Sequence, residues 1–156
     1  MTMKDKRELL GTGGQPHPAE HIEAAHDTLR NQLDAIKDAT ARTALLRLLL
    51  PLHEMLREHF AVEERLDGFY EDLLAHDPSM AHDLDALRDE HRVILDECDS
   101  LCQQLKDQMS GEQAVEEIAD DTKRDLAALL DRLRRHEHKE SVMIGDAYYT
   151  DEGGRG

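Results

Sequence analysis

The sequence predicts an all-α fold, an antiparallel up-down-up-down four-helix bundle. Four long stretches carry apolar residues at alternating spacings of three and four, the period of a helix with one buried face. Short breaker-rich segments separate them, and four helices on short turns assemble most economically as a bundle. The core must also be aliphatic, since two Phe, three Tyr and no Trp are available, and no segment alternates with the period of a strand.

Residues 1–17 read as a flexible amino-terminal arm, because Gly11-Thr12-Gly13-Gly14-Gln15-Pro16-His17-Pro18 is rich in helix breakers. Residues 18–149 read as one bundle. In the first helix Ile22, His26, Leu29, Leu33 and Ile36 share a face, and the helix should end near Ala39 or Thr40. The second stripe runs through Leu45, Leu49, Leu52, Leu56, His59, Glu63 and Leu66. Pro51 should kink or break it near Leu50, since it removes a backbone bond. That helix is expected to continue to about His76, weakened at Gly68, with Asp77-Pro78 as the next cap and first-turn proline. Leu84, Leu87, His91, Ile94, Cys98, Leu101 and Leu105 form the third stripe, stopped at Ser110-Gly111. Val115, Ile118, Thr122, Leu126, Leu129, Leu133, His136, Glu140 and Met143 form the fourth, with a bend or end at Gly145. Residues 150–156 read as a polar carboxy-terminal tail.

Composition narrows the partners. With 35 acidic and 19 basic residues, the formal charge of −16 repels phosphate backbones and anionic membranes. Nucleic acid and membrane are therefore not expected as partners, and the absence of a long apolar run makes the cytoplasm the expected location. Cys98 and Cys102 are four apart in a helical stretch, where a disulfide would strain the backbone, so they read as small buried hydrophobes.

Each apolar stripe is interrupted by titratable residues: His26 in the first, His59 and Glu63 in the second, His91 in the third, His136 and Glu140 in the fourth. Desolvating six such groups costs several kcal/mol unless they pair with one another or share a cation. The second and fourth helices both carry His-x-x-x-Glu, a spacing that sends imidazole and carboxylate to the same face. Chance alone gives about one such motif in a chain of this composition, so position is the stronger signal. Counted through the intervening turn, the paired histidines are staggered alike in the two halves of the chain, as a single central site would require. Four imidazoles and two carboxylates without thiolate suit iron, manganese or zinc. Two ions are accommodated if both carboxylates bridge and each ion keeps two histidines.

The motifs His26-Asp27, His59-Phe60-Ala61-Val62-Glu63-Glu64, Glu90-His91 and His136-x-x-x-Glu140 resemble those of the hemerythrin-like, or HHE cation-binding, family over nearly the whole chain beyond the arm. The resemblance implies two iron ions in an oxo-bridged di-iron centre, with His26, His59, His91 and His136 as terminal ligands and Glu63 and Glu140 as bridges. Glu63 is preferred to Glu64, which would point about 100° away on the helix. Oxygen-carrying hemerythrins have a further histidine four residues after the first in helix three, where this chain has Leu95, so the resemblance does not extend to reversible oxygen carriage. The ligand set is more similar to that of the bacterial iron-centre repair proteins, which respond to nitrosative and oxidative stress.

The function expected on this basis is binding of, or reaction with, a small diatomic or peroxide ligand (oxygen, nitric oxide or peroxide) in sensing, iron handling or stress protection. A peroxide- or nitric-oxide-consuming enzyme using the same centre is one alternative, and a metal-free helical interaction module is the other. His21 competes with His26 but lies off the stripe, His53 flanks the second stripe, and His82 and His138 should face outward. Tyr148 and Tyr149 either gate or close one end of the bundle. No nucleophile with an adjacent base and no phosphate-binding glycine loop is present.

Overall fold

The computed structural model describes residues 18–110 and 116–150. Five helices account for most of them: α1 (Pro18–Asp38), α2 (Arg42–Glu64), the short α3 (Phe69–His76), α4 (Ala81–Met109) and α5 (Asp120–Ile144). A single 3₁₀ turn, Pro78–Met80, leads into α4, and a π turn, Gly145–Thr150, follows α5. The four long helices pack in a ring, α1 against α2 and α5, α2 against α4, and α4 against α5. Consecutive long helices are thus neighbours, and the bundle runs up-down-up-down with α3 packed across α1 and α2. The proposed arm over 1–17, Val115 and the tail beyond Thr150 lie outside the described residues.

The buried faces are those of the apolar stripes. Leu29, Leu33 and Ile36 of α1, Leu45, Leu49, Leu52 and Leu56 of α2, Ile94, Cys98, Leu101 and Leu105 of α4, and Leu126, Leu129 and Leu133 of α5 fill one continuous cluster. A second, smaller cluster lies at the other end of the bundle, where Ile22, Leu84, Leu87, Met143 and Ile144 meet Phe69, Tyr70 and Leu73 of α3. Between the two lies the polar layer: His26 follows Ile22 and precedes Leu29, His91 lies between Leu87 and Ile94, and His136 and Glu140 lie between Leu133 and Met143. Apolar material on both sides excludes water from this layer and strengthens every charge interaction in it.

The second stripe differs from its sequence expectation in two places. Pro51 does not break α2, which runs through it. Both Pro51 and Arg47, whose carbonyl loses its helical donor, are exposed, so water can take that carbonyl. The break comes later, at Arg65–Gly68, and divides the expected single helix into α2 and α3. Leu66, expected on the buried face, is 91% exposed in this break. Gly68 permits the turn through close approach: a Cβ there would stand 2.4 Å from the Val62 carbonyl oxygen and 2.9 Å from that of Arg65. Asp77 caps the following turn as its Asp-Pro sequence predicts, its carboxylate accepting from the Ser79 backbone N–H at 3.0 Å.

The fourth stripe begins outside its helix. Ile118 is buried but precedes the α5 start at Asp120, in a segment held against α2 by the Ala41–Glu117 bridge and by the Arg42 N–H donating to the Glu116 carbonyl at 2.8 Å. Thr122, buried as expected, is satisfied by Gln104 and Gln108 of α4. No described helix is long and apolar enough to cross a membrane.

Candidate metal centre

Helical spacing brings the six titratable stripe residues together. His26, Glu63, His91, His136 and Glu140 are buried, and His59 is nearly so. Their donor atoms form two groups within which all atoms lie within 4.8 Å of one another: His26, His59, Glu63 and Glu140 in one, and Glu63, His91, His136 and Glu140 in the other. Both carboxylates belong to both groups. In the first, His26 Nε2 lies 3.0 Å from Glu140 Oε1 and His59 Nε2 lies 3.2 Å from Glu63 Oε2. In the second, His91 Nε2 lies 3.0 Å from Glu63 Oε1 and His136 Nε2 lies 3.5 Å from Glu140 Oε1. Adjacent ligands on an octahedral ion at about 2.1 Å stand about 3.0 Å apart, so these edges have the size that a transition metal needs.

The imidazoles of the second group are oriented from behind. His91 Nδ1 donates to Glu64 Oε2 at 2.8 Å, and His136 Nδ1 donates to Glu90 Oε1 at 2.7 Å. A carboxylate can only accept, so each Nδ1 carries the hydrogen and each Nε2 turns its lone pair inward. Glu64 thus lies on the neighbouring face, as its spacing from His59 predicts, but the structure gives it a partner that sequence spacing did not. Lys139 joins Glu90 at 3.3 Å. Phe60 stacks on His91 with ring centroids 3.8 Å apart and planes within 8°, which fixes the ring from its face.

Hydrogen bonding within the protein leaves the layer incomplete. His26 Nδ1 and Nε2, both Glu63 oxygens and Glu140 Oε1 are buried without a hydrogen-bond partner; the His26–Glu140 contact is close but lacks hydrogen-bond geometry. Each such orphan costs about 1–3 kcal/mol. A donor set of nitrogen and carboxylate lone pairs facing one another fits a cation, and the residues present therefore suit a metal.

Electrostatics agree with that shape. Burial disfavours the charged form of His26, but the Glu140 and Glu63 carboxylates outweigh it and raise its pKa to about 9. His91 is pushed down to about 3 by burial and by His136, and burial also lowers His59. Burial and the neighbouring Glu140 raise Glu63 well above the carboxylate range. For Glu140, burial acts upward, but His26, Glu63 and His136 together hold it below that range. A proton on His26 thus supplies positive charge to the two carboxylates, in the position that a cation would take over.

A model of the hemerythrin HHE cation-binding domain matches residues 17–145 of the chain. The chain belongs to the hemerythrin HHE family. Neither the curated proteins nor the solved structures give a match to it. Domains of this hemerythrin family bind cations, and the two His/Glu groups lie within the matched span.

Other histidines stay outside this hemerythrin layer. His21, His76, His82 and His138 are exposed and His53 is half-buried on α2, and none belongs to either group of donors. His17 lies outside the described residues. Leu95 packs against the larger apolar cluster. Cys98 and Cys102 are buried free thiols, and the contact with Cys102, together with burial, raises the Cys98 thiol. Tyr148 hydrogen-bonds to Asp72 and packs edge-on to His76 with centroids 4.5 Å apart, closing the α3 end of the bundle.

Sequence spacing missed two residues at the site. Tyr70 of α3 is fully buried, and its hydroxyl donates to Glu140 Oε2 at 2.8 Å while lying 2.9 Å from His91 Nε2. Burial and the Glu140 and Glu63 carboxylates raise its pKa far above the ordinary phenol value. No helical spacing marked it, because the helix that carries Glu63 ends at Glu64 and Tyr70 belongs to the next one. Glu137, beside His136, is buried with Arg30 3.6 Å away, and burial raises its pKa.

Proposed function

We propose that the bundle holds two iron ions, one between His26 and His59 and the other between His91 and His136, with Glu63 and Glu140 bridging them. The observation that carries this reading is that the two donor groups share both carboxylates and nothing else. A pair of redox-active ions there would supply Lewis acidity and electrons to a small molecule. The protein's own residues hold the imidazoles by Glu64, Glu90 and Phe60 and keep water out through the two apolar clusters. Zinc or manganese would fit the same donors. The 18–149 bundle then constitutes the functional unit.

We further propose that the exogenous ligand is small, oxygen, nitric oxide or peroxide, and that the centre serves sensing, iron handling or stress protection. The donor atoms lie in a largely buried layer between two apolar clusters, which supports a small ligand over a larger substrate. The resemblance to iron-centre repair proteins favours the stress role, and turnover of peroxide or nitric oxide would make the same centre an enzyme. Elemental analysis and an absorption spectrum of protein expressed with iron, beside a His59→Ala, His136→Ala double variant, test the reading. About two irons per chain with near-ultraviolet charge-transfer absorption, both lost in the variant, are expected. Metal-free wild type with thermal stability indifferent to chelator would favour a helical interaction module instead.

A further inference from the structure

We propose that the Tyr70 phenol oxygen is a fifth protein donor to the cation between His91 and His136, so that the two metal positions are chemically unlike. The inference rests on the metal centre proposed above and assigns it a ligand from outside the six stripe residues.

The argument begins with where the oxygen lies. Tyr70 Oη is 2.8 Å from Glu140 Oε2 and 2.9 Å from His91 Nε2. Both partners belong to the second donor group. In the same group His91 Nε2 is 3.1 Å from His136 Nε2 and 3.0 Å from Glu63 Oε1. The phenol oxygen therefore stands from its neighbours at the separation that neighbouring donors in the set keep from each other, which is the edge length of a shared coordination shell at about 2.1 Å. A tyrosine that only braced Glu140 from behind would approach the carboxylate away from the imidazole lone pair.

Proton counting leads to the same place. With both Nδ1 atoms donating outward to Glu64 and Glu90, His91 Nε2 and His136 Nε2 are acceptors, as is Glu140 Oε2. One phenolic hydrogen can satisfy one of the three. A cation accepts all of these lone pairs and the phenol oxygen at once, and the phenolic proton leaves to solvent as the oxygen–metal bond forms. Among the described side chains, Tyr148 is engaged with Asp72 and His76 rather than with the first group. The ring itself is fixed: it is fully buried, lies 5.5 Å from the His91 ring in near-parallel stacking, and carries the Arg88 guanidinium over its face at 5.5 Å. Its position is set before any ion arrives.

The test is resonance Raman and visible absorption of the full chain loaded with ferric iron, with metal content measured on the same samples. Wild type is expected to show phenolate ring modes enhanced through a visible phenolate-to-iron band. Tyr70→Phe should lose both while keeping at least half of the wild-type iron, and Tyr148→Phe should keep both. Iron-loaded wild type without phenolate modes overturns the assignment of Tyr70 and leaves the metal centre intact. Phenolate modes that survive in Tyr70→Phe overturn it too. Wild type that takes up no iron overturns the metal centre and this inference with it. If Tyr70→Phe does not fold, a Tyr148→Phe, Tyr149→Phe double variant decides: phenolate modes that persist in it come from Tyr70, and their loss overturns the assignment.

Discussion

His91 Nε2 and His136 Nε2 face each other at 3.1 Å, although each ring already commits its only hydrogen to a carboxylate behind it. Two lone pairs at this distance repel unless something positive lies between them. The same holds for Glu63 and Glu140, whose unpartnered oxygens meet in the same layer. A cation that binds the folded bundle and not the unfolded chain must therefore stabilise it. At a free metal concentration 100-fold above Kd the gain is about 2.7 kcal/mol. For a domain of this size that raises Tm by roughly 5–10 °C. Calorimetry of metal-free and iron-loaded protein measures it, and equal melting temperatures would contradict a cation in this layer.

The Glu64–His91 and Glu90–His136 pairs act on the metal only through the imidazoles. Glu64→Ala and Glu90→Ala should each leave the donor set in place while releasing one ring to rotate and exchange tautomers. Loss of such partners typically weakens metal affinity about 10–100-fold. Competition with a chelator of known affinity reads this directly. Arg124→Ala, at an exposed residue about three turns of α5 before His136 and paired with exposed Asp121, serves as the control and should leave affinity unchanged. If Glu90→Ala matched that control, Glu90 would be a surface partner of Lys139 and nothing more.

The fold and most of the donor layer were legible because both depend on one period. Residues three and four apart share a helix face whatever their chemistry, so the stripes that buried Leu29 and Ile94 also carried His26 and His91 inward. The break at Arg65–Gly68 was not legible in that way. Pro51 was the louder signal, yet its missing N–H faces water and costs the helix little there, whereas Gly68 matters through carbonyls a few ångströms away that no sequence pattern displays. The error propagated to Leu66, assigned to the buried face of a helix that has already ended. Tyr70 was hidden for a related reason: its hydroxyl enters the site from α3, beyond the break, and contacts residues 21 and 70 positions away.

Gly68 offers a direct check of that account. Alanine at this position would bring a methyl group within 2.4 Å of the Val62 carbonyl oxygen and 2.9 Å of that of Arg65. These are backbone atoms, so the turn itself must shift, and α3 with it. Overpacking of this kind costs about 1–3 kcal/mol. Gly68→Ala should lower Tm by roughly 2–12 °C, and because α3 carries Tyr70 it should also perturb the environment of the metal layer, seen as a changed absorption spectrum in the iron-loaded form. Gly145, where a Cβ would meet nothing within 4 Å and the backbone is helical, provides the comparison: Gly145→Ala should keep or slightly raise Tm and leave the spectrum unchanged, and an equal loss at the two positions would show that close approach is not the reason for the glycine.

The raised pKa of His26 gives the pH dependence a definite sign. Glu140 and Glu63 overcome burial and hold this imidazole at about 9 in the metal-free layer, against about 6.5 in an unfolded chain. The folded state therefore binds the proton more tightly. The stability this contributes is fully present below about pH 6.5 and is lost as pH rises through about 9. A cation needs the lone pair that this proton occupies, so metal binding must expel it, and affinity should climb by about tenfold per pH unit through the same window. The two effects run in opposite directions: Tm of the metal-free protein falls from pH 6.5 to 9 while the increment added by metal grows. His26→Gln should flatten the decline in the metal-free protein, because no proton is then held. Thermal melts across this range, with and without metal, separate the two curves, and a metal-free Tm that does not fall above pH 6.5 would mean that His26 carries no extra proton between Glu63 and Glu140.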